Sequence, residues 1–96
     1  MGLILELDVP NPSGLHARPA ATFVKASAAF RSDIRVSNLT TCSHEVSAKS
    51  IVGVLQLGVS RGHRVRLRIE GEDESAAAAT LRGMIEAGLG ETLETS

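Results

Sequence analysis

The residue types best suited to chemistry are concentrated in Gly14-Leu15-His16-Ala17-Arg18-Pro19-Ala20. Pro19 fixes its own φ and lacks an N–H, both of which a first helical turn tolerates. It also disfavours the α region for the residue before it, Arg18. The stretch therefore reads as a junction between a strand and a helix, with His16 and Arg18 at the helix start. Free N–H groups and the dipole at such a start favour an anion. Arg18 adds a permanent cation whose forked donors suit phosphate oxygens. An unperturbed imidazole titrates near pH ~6.5, so a histidine offers a neutral nucleophile at physiological pH. Nucleophile, anion cradle and guanidinium together predict a histidine that accepts and passes on a phosphoryl group. The competing reading is a capping or surface histidine, the usual role of one at a helix start.

The elements that must position this turn follow from hydrophobic periodicity. Leu3, Leu5, Leu7 and Val9 alternate with Ile4, Glu6 and Asp8, a strand with one buried face. Breakers from Pro10 to Gly14 make the following loop. Ala20, Phe23, Val24, Ser27 and Phe30 then share one side of a helix that should end near Phe30. Ile34 and Val36 mark a second strand. The segment 38–47 is polar, with Val46 its best apolar anchor, and a third strand is placed around Cys42 to Val46. Ser50 precedes Ile51, Val52, Val54, Leu55 and Leu57, a short helix that Gly53 weakens and Gly58 can stop. That is more apolar surface than one core-facing stripe needs, so part of it should remain exposed as a docking surface. Val65, Leu67 and Ile69 alternate with Arg64, Arg66, Arg68 and Glu70, the clearest strand in the chain. Asp73 or Glu74 can start a last helix whose buried stripe is Ala77, Ala78, Leu81, Met84 and Ile85, and Gly88 and Gly90 end it. Glu91 to Ser96 reads as a frayed tail. One-sided alternation in the first and last strands predicts an antiparallel sheet with one wet face.

The 96 residues suit one domain with a modest core. Ten basic and eleven acidic residues leave a net charge of −1, which calls for neither nucleic acid nor membrane. Arg64, Arg66 and Arg68 could suggest a nucleic-acid stripe. The acids nearly balance them and no aromatic residue shares their strand, so a solvated strand face is the better reading. Cys42 is the single cysteine and reads as an incidental thiol; His44 and His63 lack ligand-like spacing and read as surface residues. No basic segment leads into a long apolar run, so neither a signal peptide nor a membrane span is expected, and a cytoplasmic protein is.

The Gly14–Ala20 stretch resembles the active-site motif of HPr, the phosphocarrier of the bacterial phosphoenolpyruvate:sugar phosphotransferase system. Ala48-Lys49-Ser50-Ile51-Val52-Gly53-Val54-Leu55-Gln56-Leu57-Gly58 resembles its second helix and regulatory serine, and Glu70-Gly71-Glu72-Asp73-Glu74 is a third match. The resemblance runs from about Leu3 to Glu91 and covers nearly the whole chain. It implies an α+β, HPr-like open-faced β-sandwich of order βαββαβα, a four-stranded antiparallel sheet covered on one face by three helices. A single domain over 1–91 and a tail over 92–96 are expected. The resemblance implies a phosphate on Nδ1 of His16, near Arg18 and the backbone amides of Ala17 and Arg18. Enzyme I, charged by phosphoenolpyruvate, would be the donor and the A-components of enzyme II sugar permeases the acceptors. The chain would be a carrier with a phosphohistidine intermediate and no enzyme in its own right, a monomer needing no metal or organic cofactor. Ile51, Val52 and Leu55 would form the partner patch. At Ser50 a plain helix cap, worth about 1 kcal/mol over alanine, stands beside phosphorylation by an HPr kinase/phosphorylase. The segment 38–47 is longer than in the commonest relatives and lacks their Asn-Gly turn signal.

Two other functions stay open. A purely regulatory paralogue would act through Ser50, but such relatives usually lack the active histidine. A small α+β module binding RNA or a metabolite would need strand aromatics or a glycine-rich ligand loop, whereas Phe23 and Phe30 both fall on the first helix.

Overall fold

Leucine alternation at the N-terminus becomes strand β1, Gly2–Asp8, in a computed structural model that describes residues 2–93. The other elements are helix α1 (Ala17–Ala28), strands β2 (Asp33–Asn38) and β3 (Val46–Ser47), helix α2 (Ile51–Gln56), strand β4 (Arg64–Glu70) and helix α3 (Glu74–Glu86). The strands form one antiparallel sheet in the order β1-β4-β2-β3. The expected open-faced β-sandwich is thus the observed fold.

Register explains which face is buried. Leu3, Leu5 and Leu7 stand opposite Ile69, Leu67 and Val65, and Ile34 and Val36 continue the row opposite Ile69 and Leu67. Phe23 of α1, Val54 of α2, and Leu81 and Ile85 of α3 are fully buried with Ile34, Val36, Val65, Leu67 and Ile69 in one core. Val24, Phe30 and Met84 pack only partly against it, because they sit at the margins of their helical stripes. The other face carries opposite charges across the ladder, Glu6 facing Arg66 and Asp8 facing Arg64. Arg64 donates to Asp8 at 2.9 Å and Arg66 to Glu6 at 2.9 Å. Arg68 faces Arg35, a like-charge pair that Glu45 offsets by taking two bonds from Arg68, at 2.9 and 2.7 Å. Those bonds hold the Glu45 carboxyl below the usual carboxylate range and raise Arg68. The three arginines therefore belong to a charge-balanced solvated face.

The third strand differs from expectation. It is only Val46–Ser47, not Cys42 to Val46. Residues 39–45 are taken up by a turn built on the buried Asn38 side chain. Its Oδ1 accepts from the Thr40 and Thr41 N–H groups at 3.0 and 3.3 Å, a local side-chain turn that replaces an Asn-Gly hairpin. Cys42, exposed and unpaired, lies in that turn at φ 57°. His63 is likewise more than a surface residue. Its Nδ1 lies 3.1 Å from Asn38 Nδ2 and accepts from the Ser60 N–H at 3.1 Å. Both contacts place donors at Nδ1, which puts the ring proton of the neutral form on Nε2. His44 is exposed, as expected.

Helix α1 ends at Ala28 with Ala29 as its C-cap, slightly short of Phe30. Lys49 closes that end by donating to the Phe30 carbonyl at 2.7 Å, a cation where the helix dipole is negative. Beyond α3 the chain is not frayed at Glu91. Gly88, at φ 92°, donates to the Ile85 carbonyl, and Leu89 donates to that of Met84 at 2.8 Å. This Schellman turn drives Leu89 into the core and carries the chain to Glu91. Residues 94–96 of the expected 92–96 tail lie outside the described residues.

Candidate functional site

The turn bearing His16 is built by a close backbone approach. Gly14 has φ 56°, and a Cβ there would lie 2.1 Å from the Val59 carbonyl oxygen, so glycine is required. Leu15 donates its N–H to that same oxygen at 3.0 Å and buries its side chain completely. His16 comes next, exposed, as the N-cap of α1 with an extended backbone (φ −123°, ψ 164°). Its ring makes no capping hydrogen bond, so both nitrogens remain available.

Ala17 then takes φ 51°, a left-handed conformation rare for a residue with a Cβ and costing about 1–3 kcal/mol. Proline chemistry predicted a departure from helical backbone at Arg18. The left-handed residue is instead Ala17, and Arg18 lies within the bounds of α1. The turn comes one residue earlier because the chain must change direction directly after the extended His16. Pro19 is buried and contributes no N–H. The first bond of the helix runs from Ala20 N–H to His16 C=O, at 3.4 Å. Among the described residues, no acceptor takes the N–H groups of Ala17 or Arg18. No acidic side chain stands in the first turn to neutralise the positive end of the dipole. Arg18 is exposed and has no salt bridge among the described residues. His16, Arg18 and the two amides are thus gathered in one turn with their anion-binding capacity unused.

Ser50 is the N-cap of α2, and its Oγ accepts from the Gly53 N–H at 3.1 Å. Helix α2 packs on α1. Two bonds set its direction: Lys49, before its start, reaches the far end of α1, and Val59, beyond its end, holds Leu15 beside His16. Leu55 is therefore nearer the His16 end than Ser50 is. Ile51, Val52 and Leu55 are 40%, 62% and 41% exposed, while Val54 and Leu57 turn into the core. A six-residue helix with three exposed aliphatic side chains leaves an apolar strip beside α1.

The sequence contains these residues openly, but it hides what supports them. Glu91 accepts from Asn11 Nδ2 at 3.0 Å, from Ser13 N–H at 2.9 Å and from Ser13 Oγ at 2.8 Å. The Asn11 bond first, and then those from Ser13, hold the Glu91 carboxyl below the usual carboxylate range. No spacing rule joins positions so far apart. The only sequence signal was Gly88-Leu89-Gly90, where a buried leucine between glycines marks an ordered helix exit. Among the described residues no three His, Cys, Asp or Glu side chains gather as a metal site, and no helix is long and apolar enough to cross a membrane.

Residues 5–87 match the protein-family model described as PTS-HPr, the PTS HPr component phosphorylation site. The chain belongs to the HPr family. It is 44% identical over 81 residues to the phosphocarrier protein HPr of Xylella fastidiosa, covering 84% of this chain and 88% of that protein. Its fold superimposes on HPr of Thermoanaerobacter tengcongensis with a TM-score of 0.88 at 42% identity, over 94% of this chain and 98% of that one. It is also 46% identical over 85 residues to a multiphosphoryl transfer protein of Haemophilus influenzae. There it covers 88% of this chain but spans only 17% of the relative. The HPr motif and the geometry meet at the same residue, His16.

Proposed function

We propose that this HPr-family chain takes a phosphoryl group on His16 from Enzyme I, charged by phosphoenolpyruvate. It then hands the group to the A-components of enzyme II sugar permeases. The observation that carries this reading is an exposed histidine N-cap, free of capping bonds, followed by two unsatisfied amides and an unpaired arginine. With the ring proton on Nε2, the Nδ1 lone pair attacks phosphorus. The P–Nδ1 bond forms as the bond to the donor breaks. The phosphoryl oxygens gain the Ala17 and Arg18 amides and the Arg18 guanidinium as hydrogen-bond donors. Onward transfer reverses these roles, with the acceptor's nucleophile displacing Nδ1. The chain acts as a carrier in a cytoplasmic relay, as a monomeric domain over 1–91 with 92–96 as a tail, and its own residues call for no metal or organic cofactor.

The exposed strip of Ile51, Val52 and Leu55 is the surface on which Enzyme I and the acceptors dock in turn. Ser50 offers a second input, because a hydroxyl capping an exposed helix beside that strip is open to an HPr kinase/phosphorylase. Incubation with phosphoenolpyruvate and Enzyme I tests the central reading. One acid-labile phosphate per chain is expected, and none on His16→Ala. Equal labelling of His16→Ala would overturn the assignment.

A further inference from the structure

We infer that Glu91 is a positioning residue for phosphoryl transfer, acting through Asn11 and Ser13 on the turn that presents His16. The inference rests on the phosphocarrier reading and adds to it a residue 75 positions beyond the histidine (91 minus 16). The Glu91 carboxylate accepts three hydrogen bonds, all from the loop before His16. That loop is then bonded onward. Gly14 donates its N–H to Asn11 C=O at 3.1 Å, Asn11 Nδ2 donates to Gly14 C=O at 2.9 Å, and His16 donates its N–H to Ser13 C=O at 3.2 Å. Every residue that Glu91 grips is thus one hydrogen bond from Gly14 or His16.

The geometry is specified from both sides. Both partners of Asn11 Nδ2 are acceptors only, which fixes the orientation of the amide. Its Oδ1 is then left buried with no partner among the described residues, an unfavourable arrangement that a purely stabilising contact does not need. On the other side, the Schellman turn at Gly88 and the burial of Leu89 deliver Glu91 to the loop as a pre-placed carboxylate. Directly after the gripped turn comes the left-handed Ala17, a conformation that persists only when its surroundings over-determine it. Release of the Glu91 clamp lets the turn relax. The Ala17 and Arg18 amides then lose their aim at the phosphoryl group, while the docking strip on α2 is untouched.

The test is phosphoryl transfer from phospho-Enzyme I to the full chain, with maximal rate and apparent affinity measured separately below the melting range. Glu91→Ala should lower the maximal rate roughly tenfold or more, with affinity unchanged, since small misplacements at a reacting centre carry such factors. Glu91→Gln should restore most of the rate. Its Oε1 can take the Asn11 and Ser13 N–H donors, and its amide can donate to Ser13 Oγ. Should Glu91→Ala fail to fold, Ser13→Ala carries the same expectation with a smaller loss. A folded Glu91→Ala that transfers at the parental rate, beside a parent labelled on His16, overturns this inference alone. So does a loss confined to affinity. A parent that takes no phosphate on His16 overturns both readings together.

Discussion

At the scale of single residues, an anion site has been left vacant by the fold's own bonding. His16 spends no hydrogen bond on its helix, Ala17 absorbs an unfavourable backbone angle, and Arg18 has no salt-bridge partner among the described residues. Arg18→Ala should consequently change stability by about 0.5 kcal/mol or less, because an exposed side chain without partners contributes little to the folded state. Transfer to and from His16 should slow much further. Arg18→Lys should recover only part of it, as a point charge replaces a planar fork. Melting temperature and transfer rate measured on the same preparations check both halves. A large loss of melting temperature with normal transfer would place Arg18 in the fold instead. His16 and Arg18 were legible in the sequence because glycine, histidine and proline act locally on the backbone. The left-handed residue was misplaced by one position, since proline stereochemistry describes Arg18 but not the change of direction imposed by the extended His16. Glu91 was illegible as a partner because its contacts bridge positions with no shared periodicity.

At the scale of elements, strands and helices with a clean period were legible: β1 and β4 from alternation, α1 and α3 from their stripes. Strand β3 was not, because Asn38 captures the Thr40 and Thr41 amides and diverts the chain before it can pair. Helix α2 shows how a local cap and a docking strip share one short segment. A phosphate on Ser50 would add roughly −1.5 to −2 charges at a helix start, where the dipole favours it by about 0.3–1 kcal/mol. The helix should therefore survive. The same charge beside Ile51 and Val52 raises the desolvation needed for docking and repels an acidic partner surface. Ser50→Asp is a partial mimic that still caps the Gly53 amide. It should hold the parental melting temperature and bind Enzyme I more weakly, leaving the maximal transfer rate intact. Calorimetry together with an affinity measurement checks this. Parental affinity would remove the docking argument.

At the scale of the whole molecule, α3 and its flanks bracket α1 with two carboxylates. Glu91, after α3, holds the loop that enters α1, and Asp73, the N-cap of α3, holds the chain that leaves it. Asp73 gives its own helix no capping bond. It accepts instead from the Arg31 and Ser32 N–H groups, both at 2.9 Å, and from Ser32 Oγ. The position is crowded: a Cβ on Gly71 would lie 2.7 Å from Ser32. The Ser32 hydroxyl first, and then the backbone amides, bring the Asp73 carboxyl down to about 2. Its value in the unfolded chain is near ~3.9. A folded-state value below the unfolded one means that ionised Asp73 stabilises the fold fully above about pH 4. That contribution disappears as the pH falls toward about 2. Glu45 and Glu91, also held low, lose theirs in the acid range as well, so the comparison must be between variants. Asp73→Asn keeps the size but sets an amide N–H against donors. It should melt lower than the parent at neutral pH, and the gap should narrow steadily between about pH 4 and pH 2. Thermal melts of both chains across that window provide the measurement. A gap that stays constant with pH would show that Asp73 acts by shape instead of charge. The α1 anchorage would then owe its acid sensitivity to the Glu91 end alone.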